Sequence, residues 1–182
     1  MNKTDAEILD LILNSDVKGI EYAFHKYYEP LCLHGLRYLR DRHKVEDLVQ
    51  DLFHDLWKKR ENINIKSSLS GYLKTSIRNR IINHAKSKRM DFAEEDEIKG
   101  FKVDEANTQQ NMENMELEEY LHSVIEQLPE KCRMVFVMSR FEELSYKEIA
   151  EKLEISPKTV ENQISKALKV LREHLTLYRE NF

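Results

Sequence analysis

A chain of 182 residues is long enough for one or two small domains with cores of their own. It is 34% charged and 41% hydrophobic, with only 4 Gly and 3 Pro, which favours helix and argues against strands joined by tight turns. The formal net charge of −4 excludes a uniformly basic nucleic-acid binder, so charge has to be read locally.

No apolar run approaches the ~20 residues needed to cross a bilayer. The opening "MNKTDAEILDL" carries no signal-peptide pattern, so a cytoplasmic protein without membrane insertion is expected. Cys32 and Cys132 sit far apart inside helical patterns and read as buried free thiols rather than a disulfide.

In chain order, Thr4 and Glu7 form a capping-box pattern ahead of a short first helix. Ser15 or Asp16 can cap a long second one, with apolar positions from Val17 to Leu39 and a kink or break expected at Pro30. In "KVEDLVQDLFHDLWKKR", Val45, Leu48, Val49, Leu52, Phe53, Leu56 and Trp57 recur every three or four residues, a strongly amphipathic helix. Opposite that stripe lie Asp47, Gln50, Asp51, His54 and Lys58. Two carboxylates there would repel DNA but could meet a basic protein surface; a solvated acidic face would have the same pattern.

"ENINIKSSLSG" reads as a loop, and "YLKTSIRNRIINHAKSKR" is helical again. From Lys66 to Arg89 there are seven Lys or Arg and no Asp or Glu. Leu73, Ile77, Ile81 and Ala85 form its buried stripe. Tyr72, Thr75, Asn79, Asn83 and Lys86 lie opposite, with Arg78 and Arg80 on the flanks. Cations, a ring and amides together suit a nucleic-acid strand: charge for the backbone, a π-face for stacking, amides for base edges. A soluble basic helix is the plainer reading of the same residues.

Periodicity then dissolves. Residues 91–115 carry Asp91, Glu94, Glu95, Asp96, Glu97, Asp104, Glu105 and Glu113 against only Lys99 and Lys102, the composition of a flexible acidic linker. The expected organisation is therefore all-α: a helical domain over 1–90, the linker over 91–115, and a second helical domain over 116–182.

In the second domain, Leu117, Tyr120, Leu121, Val124, Ile125 and Leu128 mark one amphipathic helix and "EKCRMVFVMSRF" the next. "SYKEIAEKLEISPKTVENQIS" then describes a helix that stops and restarts. Ser145 and Glu148 form a capping box, with Leu144 and Ile149 as its hydrophobic staple. Ser156 caps a further helix with Pro157 at its first position and a second staple from Ile155 to Val160. The link at Glu154 calls for a left-handed backbone. Two helices joined this tightly, with small Ala150 at their approach, give the helix-turn-helix pattern. On the second helix Val160, Ile164, Ala167, Leu168, Leu171 and Leu175 form the buried stripe. Lys158, Thr159, Asn162, Lys166 and Lys169 lie opposite, with Gln163 beside them. Amides and lysines on one exposed face suit base edges and phosphates respectively.

"VEDLVQDLFHDLW", "GYLKTSIRNRIINHAK" and "LPEKCRMVFVM…SYKEIAEKLEISPKTVENQISKALKVLREHL" together resemble an extracytoplasmic-function sigma factor of bacterial RNA polymerase, and "KTVENQISKAL" resembles the versions expanded in the Bacteroidetes. The resemblance covers both domains in the family's order. It implies a four-helix region two for core polymerase and the minus-ten element, a region four for the minus-thirty-five element, and no region three. It also implies that the helix carrying Asp47, Gln50 and Asp51 grips a coiled coil of the largest polymerase subunit. The loop Asn62–Ser70 and the start of the next helix would capture a flipped minus-ten base, and the helix from Pro157 would read the minus-thirty-five element. Core polymerase and promoter DNA are the implied partners, with a membrane-bound anti-sigma factor as a further one. The chain departs from many relatives at Glu154, where they carry glycine, and at Asn162–Gln163, where they carry a serine–arginine pair.

Two other classes compete. A stand-alone helix-turn-helix regulator would share the C-terminal pattern and bind duplex DNA without polymerase. An enzyme would need a catalytic constellation, and the chain has no Gly-rich phosphate loop, no HExxH and no CxxC; its seven histidines are scattered. No catalytic residue, metal site or cofactor is expected.

Overall fold

The computed structural model describes residues 3–63, 65, 68–87 and 117–181. The stretch 91–115, read above as the acidic linker, lies outside them. The chain divides into two compact units, Met1–Lys88 and Arg89–Phe182. Among the described residues the regular structure is helical: α1 (Asp5–Leu13), α2 (Val17–Leu36), α3 (Arg42–Lys58), a 3-10 turn (Arg60–Asn62) and α4 (Leu69–Ser87) in the first unit, and α5 (Leu117–Gln127), α6 (Glu130–Arg140), α7 (Tyr146–Leu153) and α8 (Pro157–Asn181) in the second.

In the first unit α2 packs on α1, α3 and α4, and α3 packs on α4. The helix starts follow from local chemistry. Thr4 and Glu7 close a reciprocal capping box on α1, Asp16 accepts from the Lys18 amide to open α2, and Asp41 accepts from the Lys44 amide to open α3. Two glycines permit the crossings. A Cβ on Gly19 would sit 2.6 Å from the Ile12 nitrogen of α1, and one on Gly35 would sit 2.7 Å from Val45 Cγ1 of α3.

A kink or break was expected at Pro30; α2 runs through it unbroken. Pro30 is exposed, so water can serve the carbonyl four residues back that a proline leaves without its amide partner. Alpha-4 starts at Leu69, ahead of the expected Tyr72, because Ser68 Oγ accepts from the Gly71 amide at 3.1 Å and caps it. Of the two thiols, Cys132 is buried as expected while Cys32 is only half-buried; neither is in a disulfide.

The second unit is built around α6. Every residue from Cys132 to Met138 is buried, which marks it as the central element, with α7 and α8 packed against it. Arg133 is 1% exposed and donates to the Glu126 carbonyl at 2.5 Å, so its cation meets the carbonyl end of α5. Alpha-5 buries Tyr120 and Val124, and Leu128 just past its end is buried with them. Its other apolar positions, Leu117, Leu121 and Ile125, line an open groove of about 430 Å³ with His122 and Phe141.

Candidate nucleic-acid and protein interfaces

Alpha-3 buries Val45, Leu48, Val49, Leu52, Phe53 and Leu56. That fixes Asp47, Gln50, Asp51 and His54 on the opposite side, where all four are exposed. Neither Asp47 nor Asp51 meets a cation among the described residues, whereas other acids nearby do: Glu46 pairs with Arg42 at 2.8 Å and Asp55 with Arg80 at 2.7 Å. The result is an exposed acidic strip backed by a full apolar face, able to meet a basic partner without first breaking internal pairs.

Alpha-4 exposes Thr75, Asn79 and Asn83 in one strip, with Tyr72 and Lys86 half-buried at its ends. Two cations on its flanks have other work. Arg78 is buried at 9% exposure, a correction to its expected flanking position. The buried face of α4 is wider than the four-residue stripe, taking in Leu69 and Ile82 as well, and Arg78 lies one turn before Ile82 on that added row. Arg80 is half-buried and committed to Asp55 of α3. The Arg80 hydrogen bond, with help from Lys59, holds the Asp55 carboxyl below its usual range. The outward face of α4 is therefore amide and hydroxyl more than cation.

The start of α4 is also tied from a distance. Asp5 of α1 accepts from Lys26 Nζ at 2.7 Å and from the Tyr27 hydroxyl, and it faces the Ser70 amide. Lys26 first, then Tyr27, lowers the Asp5 carboxyl below its usual range, while burial and Asp5 push the Tyr27 phenol well above its own. A carboxylate held at a helix N-terminus complements the dipole there, and it anchors the turn that presents Tyr72.

In the second unit the stop and restart have the expected chemistry. Ser145 and Glu148 close their capping box, which holds the Glu148 carboxyl below its usual range. Glu154 sits at φ 58°, ψ 42°, left-handed, and the Ile155 amide reaches the Ala150 carbonyl at 3.0 Å. Ser156 Oγ accepts from the Thr159 amide at 3.0 Å and opens α8, while the Thr159 hydroxyl bonds the same oxygen. Val160, Ile164, Ala167 and Val170 are buried, and Leu168, Leu171 and Leu175 are half-buried.

Gln163 is the second correction. It was expected beside the exposed face, but it is 2% exposed and accepts from the Cys132 thiol at 2.8 Å. At 100° per residue it lies about 140° around the helix from Lys158, which turns it toward α6. The exposed strip is instead Lys158, Glu161, Asn162, Ser165 and Lys169, with Thr159 and Lys166 half-buried beside it. Glu161 and Ser165, neither a cation nor an amide, complete the strip and carry no sequence signal for nucleic acid. Glu161 is paired with Lys158 at 2.9 Å.

Among the described residues no group of three His, Cys, Asp or Glu is placed to hold a metal ion, and no helix is long and apolar enough to cross a membrane.

Comparison with known proteins gives the same two-part division. Residues 23–90 match the family described as Sigma-70 region 2, and residues 118–171 match Sigma-70, region 4. The chain is 25% identical over 181 residues to the RNA polymerase sigma-H factor of Pseudomonas aeruginosa, covering 94% of this chain and 93% of that protein. It is 27% identical over 148 residues to the ECF RNA polymerase sigma factor SigW of Bacillus subtilis, covering 76% and 79%. A solved structure of the sigma factor RpoE with the anti-sigma factor NepR from Bartonella quintana aligns with a TM-score of 0.47 at 18% identity, over 88% of this chain and 98% of that one. A regulator with a helix-turn-helix alone would leave the match to region 2 unaccounted for. With both regions present in the family's order, the chain belongs to the sigma-70 family, as an extracytoplasmic-function sigma factor of bacterial RNA polymerase.

Proposed function

We propose that this sigma factor, which binds core RNA polymerase and directs promoter-specific transcription initiation, divides that work among three helix faces. Residues 1–90 act as region two, 91–115 as the linker and 116–182 as region four. On α3, Asp47, Gln50, Asp51 and His54 grip core polymerase. On α4, Tyr72, Thr75, Asn79, Asn83 and Lys86 face the melted minus-ten strand, with the stretch Asn62–Ser70, of which residues 64, 66 and 67 lie outside the described ones, receiving a flipped base. On α8, Lys158, Thr159, Asn162 and Lys166 face the minus-thirty-five duplex. Arg78, Arg80 and Gln163 support these faces from behind. The factor is non-catalytic, as the family is, and works in the cytoplasm beside polymerase and DNA. An anti-sigma partner rests on the family resemblance alone.

The observation that carries this reading is the pair of opposed characters within one small unit: an acidic strip on α3 whose Asp47 and Asp51 meet no cation among the described residues, and a polar face on α4 free of carboxylates. One suits a basic protein surface and the other a nucleic-acid strand. The test is Asp47→Lys with Asp51→Lys. Both sites are exposed, so the helical spectrum and melting should hold while affinity for core polymerase is lost. Unchanged affinity for core would refute the assignment of α3.

A further inference from the structure

We infer that Glu161 reads a cytosine in the promoter duplex and that Lys158 positions it. The inference rests on the reading of α8 as the minus-thirty-five helix and goes beyond it by naming a base.

Glu161 is the fifth residue of α8, in the part of a recognition helix that reaches base edges. Its side chain is 53% exposed and that of Lys158 is 71% exposed, with Nζ and Oε2 2.9 Å apart. Asn162 and Ser165 share the strip. An exposed pair of this kind contributes little to stability. A carboxylate brought to a polyanion, however, is strongly unfavourable unless it finds a donor. Lys158 offsets its charge, and a base edge must supply the remaining hydrogen bond.

The carboxylate only accepts, and that restricts the base. In the major groove guanine and thymine offer acceptors at O6, N7 and O4, so either would leave Glu161 facing a lone pair. Adenine offers its N6 amino group beside the N7 acceptor, which repels the second carboxylate oxygen. Cytosine offers its N4 amino group with no acceptor beside it on its own edge. Across that base pair lies guanine O6, which the ammonium of Lys158 can meet. An acceptor and a donor 2.9 Å apart on the protein thus match a donor and an acceptor side by side on one C·G pair. Such a device selects by rejection as much as by attraction.

The experiment is promoter selection by holoenzyme assembled from core polymerase and the full chain, on templates randomised through the minus-thirty-five element. Wild type should prefer cytosine over guanine or thymine at one position by roughly 5- to 100-fold. Glu161→Gln should move the preference at that position to adenine, because a carboxamide accepts from N6 and donates to N7. Glu161→Ala should flatten that position alone. Asn162→Ala serves as the control on α8 itself. If Asn162→Ala alters a position and neither Glu161 variant alters any, Glu161 is not a reader and the helix assignment stands. If none of the three alters selection, the reading of α8 fails and this inference with it. A Glu161-dependent preference for guanine or thymine also overturns it.

Discussion

Alpha-4 and α8 are the two helices proposed to face DNA, and each turns one polar side chain inward. Alpha-4 buries Arg78, a cation at 9% exposure; α8 buries Gln163, an amide at 2% exposure that accepts from a thiol. Their outward faces differ in the opposite sense. With Arg78 inside and Arg80 held by Asp55, the strip of α4 is Thr75, Asn79 and Asn83. The strip of α8 keeps Lys158 and Lys169 exposed around Asn162. A face meeting unstacked bases is served by amides and hydroxyls, because base edges are open there. A face docking on intact duplex needs cations for phosphates before it can read anything.

The comparison breaks first at Arg78. If its role is internal, Arg78→Ala should destabilise the protein by about 2–3 kcal/mol through lost packing of the long side chain. Asn79→Ala, one residue on, should change stability by less than about 0.5 kcal/mol and reduce open-complex formation instead. Urea unfolding and permanganate footprinting of the minus-ten strand separate the two. A stable Arg78→Ala protein with a weakened open complex would return Arg78 to the DNA face.

Gln163 comes next. Gln163→Ala should cost about 1–2 kcal/mol, from the volume removed and from the lost contact with the Cys132 thiol. Promoter choice should not change, in contrast with Asn162→Ala. Gln163→Ala in a Cys132→Ala background should cost measurably less than in the wild type, since the two share one contact. Equal costs in both backgrounds would mean the thiol contact contributes nothing.

Arg80 is the smaller case. Removing it or Asp55 should give a coupling of about 0.2–1 kcal/mol in a double-mutant cycle, as for other partly exposed pairs. The salt dependence of promoter binding by holoenzyme should keep its slope. A slope reduced by about one unit would mean that Arg80 contacts a phosphate.

Much of this architecture was legible because it is local. Both capping boxes lie within four residues of sequence, and the left-handed turn at Glu154 within six; the chemistry that fixes them is adjacent in the chain. The exposed acids of α3 were legible because the apolar stripe beside them has no gap. What could not be read depends on contacts far apart in sequence. Arg80 meets Asp55 across 25 residues and Gln163 meets Cys132 across 31. A helical pattern shows where a buried face is centred, but its width depends on the surface packed against it. Arg78 and Gln163 both lie at that margin.

The two units should also respond to acid in different windows. Burial lowers the His174 imidazole, which bonds the Tyr120 hydroxyl at 2.9 Å. A depressed folded value favours the neutral ring, so its contribution is complete above the ordinary 6.5 and is lost as pH falls below it. In the first unit the depressed groups are Asp5, Glu7 and Asp55, whose contributions are complete above their ordinary values of 3.8 and 4.5 and are lost only in stronger acid. Amide exchange followed by mass spectrometry between pH 7 and 5 should show α5 and α8 loosening while α1–α4 hold. Substituting His174→Gln should remove that difference, and loosening of both units together would contradict it.

The smallest expected effect is at Glu154. A side chain with a Cβ in the left-handed region costs on the order of 1 kcal/mol relative to glycine, and Glu154 sits there at φ 58°. Against this, its carboxylate lies three residues before Pro157, the first residue of α8, and the helix dipole favours negative charge near that end by roughly 0.3–1 kcal/mol. The two contributions nearly cancel, so Glu154→Gly should raise stability by only a few tenths of a kcal/mol and leave promoter choice unchanged. Glu154→Gln keeps the Cβ and removes the charge, so it should lose what the charge contributes, the dipole included, and be less stable than wild type. Glu154→Gly below wild type would mean that the charge at the head of α8 outweighs the backbone conformation. Glu154→Gln equal to wild type would remove the dipole from the balance and raise the expected gain at Glu154→Gly to the full backbone cost.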